Sequence, residues 1–76
     1  MNDRISILPG VCHGKPVIRG TRVLVSNILG SLAVNESIDD ILQDYPNISR
    51  EDIGAALTFA SELAQFEELP DKLVTA

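Results

Sequence analysis

Cys12 and His13 are the only thiol and the only imidazole in the chain, and they are adjacent. A thiol beside an imidazole is the raw material of a nucleophile–base pair. In an extended segment, however, neighbouring side chains point to opposite faces. No third group stands ready to orient either one, so the pair does not read as a catalytic centre. A structural zinc site needs about four cysteine or histidine ligands, and only these two exist. Asp40 and Asp44 fall four apart on one helix face, a spacing that can present carboxylates to Mg²⁺. The pattern reads more simply as a solvated acidic face. Gly14-Lys15 resembles the end of a phosphate loop, but that motif needs glycine where Pro9 stands and serine or threonine where Pro16 stands. No metal, cofactor or nucleotide site is expected, and the chain reads as a non-enzymatic binding protein.

What remains is charge. Net charge is −5, which counts against a generic nucleic-acid binder. Its distribution is uneven. Residues 1–22 hold Arg4, Lys15, Arg19 and Arg22 against Asp3 alone, a net of +3. Residues 23–76 hold Arg50 and Lys72 against ten acids, a net of −8. Such asymmetry suggests two faces with different partners. The candidate anion or DNA contacts are Lys15, Arg19, Arg22 and Arg50. Arg50 is the weakest of these, because Glu51 and Asp52 follow it and would repel phosphate. Arg19 and Arg22 flank Gly20-Thr21, and a two-residue type II′ turn there would set the two arginines face to face. Like charges so placed cost a little stability. Either they recognise an external anion, or one of them pairs with an acid on the helices.

With 76 residues the chain suffices for one domain, 1–76. A domain of this size buries only about 60% of its unfolded surface, so a partner surface would help it. Three aromatic rings (Tyr45, Phe59 and Phe66) are too few for a base-stacking platform. One cysteine requires no oxidising compartment. The first residues lack the apolar stretch of a signal peptide. No apolar run approaches the roughly 20 residues of a membrane span, and a cytoplasmic protein is expected.

The elements follow from periodicity. Residues 5–24 read as strands and turns: Ile5, Ile7 and Leu8 form a short half-buried strand, and Val17-Ile18 faces Val23-Leu24 in a hairpin. From Val25 the period becomes helical, with Val25, Ile28, Leu29, Leu32 and Ala33 on one face and Asn35 as a left-handed terminator. Ser37 caps a second helix with Asp40 in the capping-box position; Ile38, Ile41, Leu42 and Tyr45 form its apolar stripe, and Pro46 stops it. Ser49 and Asp52 form a second capping box, with Ile48 and Ile53 as a hydrophobic staple. The third helix should bury Ile53, Ala56, Leu57, Ala60, Leu63 and Ala64, with Phe59 and Phe66 alongside, and run to about Glu68. Residues 25–68 thus form three helices in a helix–turn–helix arrangement on which the hairpin packs. The tail from residue 69 is either a frayed terminus or a segment that orders on a partner through Phe66, Leu69, Leu73 and Val74.

The string Gly14-Lys15-Pro16-Val17-Ile18-Arg19-Gly20-Thr21-Arg22-Val23 resembles the signature of a small prokaryotic family, the one numbered 433 among domains of unknown function. The similarity continues through residues 37–46 and 48–57 and spans residues 5 to about 62. It departs at Val34-Asn35, where the family usually ends its first helix with glycine. The resemblance implies a mainly α, tri-helical (winged) helix–turn–helix fold with a short N-terminal β-hairpin, usually dimeric. It further implies an antitoxin of a toxin–antitoxin pair, neutralising a PIN-like ribonuclease toxin and repressing its operon. Two other functions fit the same residues: a stand-alone DNA-binding regulator, and a dimeric interaction module without DNA binding. The small core and wide apolar face of the third helix also favour a homodimer.

Overall fold

A computed structural model of the chain describes residues 2–66. Two short strands, β1 (Ile5–Ser6) and β2 (Val17–Ile18), precede three helices: α1 (Val25–Ala33), α2 (Ile38–Asp44) and α3 (Arg50–Phe66). The described part is mainly helical, with a small antiparallel hairpin at its N-terminal side, as the sequence predicts.

Each helix boundary has a local cause. The last turn of α1 closes by a Schellman motif: Asn35 takes φ 65°. Its N–H bonds to the Leu32 carbonyl and the Glu36 N–H to the Ser31 carbonyl. Asparagine does here what glycine does more often, because its short polar side chain tolerates the left-handed region. Ser37 caps α2, accepting the Asp40 N–H at 3.1 Å. At α3 the capping box is complete: the Ser49 hydroxyl accepts the Asp52 N–H at 3.3 Å, and the Asp52 carboxylate accepts the Ser49 N–H at 2.9 Å. Only α1 starts without a capping side chain. The carbonyl of Pro16 takes the Val25 N–H instead, so β2 itself supports that helix start.

The strands differ from expectation in two ways. β1 pairs with β2, Ile5 opposite Ile18 and Ser6 opposite Val17, across a ten-residue connection. Val17-Ile18 does meet Val23-Leu24 as expected, through an isolated bridge at Val17–Leu24 and the Ile18 N–H on the Val23 carbonyl. The turn between them is not the two-residue type II′ form. Thr21 N–H closes a turn onto the Ile18 carbonyl, with Gly20 at φ 79° in its third position, the signature of a type II turn. The cause is the Thr21 hydroxyl, which donates to the Ile18 carbonyl at 2.7 Å and accepts the Val23 N–H at 3.0 Å. That pair of bonds fixes a four-residue loop, Arg19 to Arg22. Ile7 and Leu8 are exposed rather than continuing the strand.

The core gathers Ile5, Ile18, Val25, Ile28, Ile41, Ile53 and Ala56 from both strands and all three helices. Leu29, Leu32, Leu42, Tyr45 and Phe59 pack around it, half-buried. Ala33, expected on the buried face of α1, is exposed, as is Ile38 on α2. In α3, Ala55 is buried in place of Leu57.

One polar link ties the N-terminal segment to α3. Arg4 Nη1 donates to Asp52 Oδ1 at 3.0 Å while Oδ2 of the same carboxylate closes the capping box. Asn2 adds a bond from its side-chain amide to the Ala55 carbonyl at 3.1 Å. Removing Asp52 strips a partly buried donor of its acceptor as well as breaking an ion pair. Asp52→Ala should therefore cost about 1–3 kcal/mol, whereas Arg4→Ala, losing a half-exposed pair, should cost under about 1 kcal/mol. Urea unfolding with an unchanged slope checks this, and equal losses for the two variants would contradict it.

Candidate functional site

Four cations were singled out in the sequence, and the fold separates them into two kinds. Arg50 pairs with Asp39 of α2, across the turn between α2 and α3. The Arg19 guanidinium donates to the backbone carbonyl of Asp3, and its own N–H extends the strand ladder to the Arg4 carbonyl. Arg19 therefore sits beside Arg4 on the sheet, its side chain turned toward the N-terminal segment. Lys15 and Arg22 are exposed and make no ion pair among the described residues. Lys15 and Arg22 are thus without an internal partner among the described residues, whereas Arg19 and Arg50, both exposed, each also bond within the protein.

Cys12 and His13 are not assembled into a reacting pair. The chain turns left-handed through Cys12, His13 and Gly14, at φ 49°, 59° and 78°. Two non-glycine residues in that region cost on the order of 1–3 kcal/mol each, so their surroundings must hold them there. Part of the hold is visible: the Gly14 and Lys15 N–H groups bond back to the Val11 and Cys12 carbonyls. The Cys12 thiol reaches the Arg22 carbonyl at 3.7 Å. Cys12 consequently serves as a strut between two loops. Nothing in Cys-His-Gly-Lys announces a left-handed turn, since only Gly14 favours that region intrinsically.

Between those two loops lies an open groove of about 550 Å³. Leu8, Val11 and Val17 supply its apolar part, and Ser6, Arg22 and Asn47 its polar part. Asn47 comes from the turn between α2 and α3, so the groove is where the hairpin meets the helical body. Its polar residues lie 41 positions apart in the chain, and periodicity carries no signal for such a meeting.

A second feature lies on α3. At about 1.5 Å per residue this helix is roughly 25 Å long. Its core-facing stripe begins with Ile53 and Ala56, buried beneath α1 and β1. Seven residues beyond Ala56, two turns later on the same face, Leu63 is 55% exposed. Leu57, on the flank, is 48% exposed, and every described side chain from Ser61 to Gln65 is exposed. The core has ended and the apolar stripe has not. Phe66 closes the helix, while Leu69, Leu73 and Val74 lie outside the described residues. Among the described residues no group of histidine, cysteine and carboxylates is arranged to hold a metal ion, and no helix is long and apolar enough to cross a membrane.

Three helices carrying an N-terminal hairpin, with the GKPVIRGTR segment forming the second strand and its loop, define a small, mainly helical fold. The chain belongs to the DUF433 family of proteins of unknown function, whose family model matches residues 5–60. It is similar to the crystal structure of a DUF433 member from Anabaena variabilis ATCC 29413, with TM-score 0.76 and 30% sequence identity. That similarity covers 84% of this chain and 63% of the other. An uncharacterised protein of Sinorhizobium fredii, y4eO, is 36% identical over 52 residues, 68% of this chain. The match spans only 24% of that relative's length.

Proposed function

We propose that this protein is an antitoxin-like binding protein, without catalytic activity of its own, that neutralises a PIN-like ribonuclease toxin by masking it. The observation that carries the binding part of the reading is the apolar stripe of α3 that outruns the core. Leu63 stands more than half in water two turns beyond the core, and a partner surface laid along the last two turns would bury it. Family resemblance supplies the class of partner. The acidic helical part, with Asp39, Asp40, Asp44 and Glu62 exposed, suits the basic surface that a ribonuclease uses to hold RNA.

Repression of its own operon has narrower support. Of the cations expected to meet DNA, only Lys15 and Arg22 are unengaged among the described residues, and two phosphate contacts bind weakly. The stripe would equally be covered in a homodimer, and light scattering on the purified chain separates the two occupants. The direct test is to look for a PIN-like ribonuclease gene next to this one and to co-express the two. Growth restored by this chain, and a complex of the two on gel filtration, are the expected results. A toxin that stays lethal in its presence, although this chain accumulates folded, would overturn the reading.

A further inference from the structure

We propose that the groove between the hairpin loop and the segment Leu8–Val11 binds an extended peptide segment of a partner protein, one that places an apolar side chain next to a carboxylate. Some polar groups around this groove are already engaged within the protein and others are free. Thr21 has both hydrogen-bonding directions of its hydroxyl committed to the hairpin. The side chains of Ser6, Asn47 and Arg22 have no hydrogen-bond partner among the described residues, and all three line the groove. Leu8 is 53% exposed beside Val11, and Val17 lies beneath them. A mostly apolar floor with a few convergent polar groups is the composition of a recognition site.

The walls are preorganised. The type II turn at Gly20 fixes one and the left-handed turn at Cys12–Gly14 fixes the other, and the Cys12 thiol on the Arg22 carbonyl joins them. The Arg22 backbone is thereby anchored at the rim, and its exposed guanidinium has the fork geometry that suits a carboxylate. Ser6 and Asn47 offer a hydroxyl and an amide to peptide backbone groups.

Charge selects the occupant. The body of the protein is strongly acidic and repels acidic chains, while this end carries the unpaired Lys15 and Arg22. An acidic residue is welcome here and at few other places on the surface. A nucleic acid is a poorer fit, because an apolar floor gives phosphate nothing and only one cation, Arg22, lines it. None of the lining residues lies on α3. Failure of this proposal would leave toxin binding through α3 intact, and the converse holds.

The test is an NMR titration of the full ¹⁵N-labelled chain with the synthetic peptide acetyl-Gly-Leu-Glu-Val-Glu-Gly-amide. Expected are saturable shifts confined to Ser6, Leu8 to Val11, Thr21, Arg22 and Asn47, with a dissociation constant on the order of 10⁻⁴ M. Arg22→Ala should weaken binding about tenfold, and Arg22→Lys should restore part of it. Leu8→Ser, on a loop and already half-exposed, should weaken it without disturbing the spectrum of the core. The same peptide with lysine in place of glutamate should not bind. Absence of shifts at millimolar peptide, or equal binding of the lysine peptide, would overturn the proposal. So would tighter binding of a duplex DNA at this surface in physiological salt, which would assign the groove to nucleic acid.

Discussion

Ile28→Ala should remove on the order of half of the folding free energy. Ile28 is 0% exposed and lies at the centre of α1, among residues of both strands and the two other helices. Deleting a buried isoleucine to alanine costs about 2–5 kcal/mol, through lost transfer energy and the cavity left behind. A 76-residue domain, at roughly 0.05–0.15 kcal/mol per residue, has only about 4–11 kcal/mol in all. The upper part of the expected loss would leave much of the chain unfolded at growth temperature. Ala33, on the same helix but exposed, provides the control: Ala33→Ser should change stability by less than about 0.5 kcal/mol. Chemical denaturation monitored by helical circular dichroism reads both. A loss below about 1 kcal/mol for Ile28→Ala would mean that α1 is not central to the core.

Leu63→Asp separates stability from function. Leu63 is more than half exposed and stands outside the hydrophobic core, so unfolding should shift by no more than about 0.5 kcal/mol. In the proposed complex with a toxin the same side chain would be buried on the stripe. Truncating an interface anchor costs about 2 kcal/mol or more, and a charge buried in its place costs further. Binding should weaken by at least about 30-fold, and rescue of growth in co-expression should be lost. Ile38→Asp offers a matched control, since Ile38 is an exposed apolar residue on α2, away from the stripe. Rescue lost with Ile38→Asp and retained with Leu63→Asp would move the interface off α3.

The helical part of this fold is legible because its signals are local. Ser49 with Asp52 and Asn35 at the end of α1 each act within six residues and do in the structure what their types predict. Ser37 caps α2 as expected, without the reciprocal bond from the Asp40 carboxylate. The hairpin is legible in register but not in turn geometry. Val17-Ile18 meets Val23-Leu24 as alternation requires, yet the Thr21 hydroxyl outweighs the Gly-X preference and moves the turn by one residue. Pairing of β1 with β2 is not legible, because two residues on each side carry too little pattern across a ten-residue gap. The site follows the same division. Charge counting finds the basic segment. Which of its arginines are engaged depends on Asp3, which holds Arg19, and Asp52, which holds Arg4, and only Asp52 lies on the helices where acids were expected to compete. On α3 the periodicity shows one continuous apolar face, but how far the core extends beneath it depends on where the other elements end.

Asp52 also bears on the order in which the chain assembles. Its bonds to Ser49 can form as soon as one helical turn forms, on a submicrosecond timescale in isolated helices. Its bond to Arg4 must close a loop of 48 residues and pays the corresponding entropy. One carboxylate thus belongs to both an early and a late event. The helices are expected to dock first, with β1 drawn in last as a latch across the start of α3. In rate measurements on the two variants, Asp52→Ala should slow folding, while Arg4→Ala should leave folding almost unchanged and speed unfolding. A residue that looks like a helix cap with an extra ion pair thereby acts as the hinge between nucleus and closure.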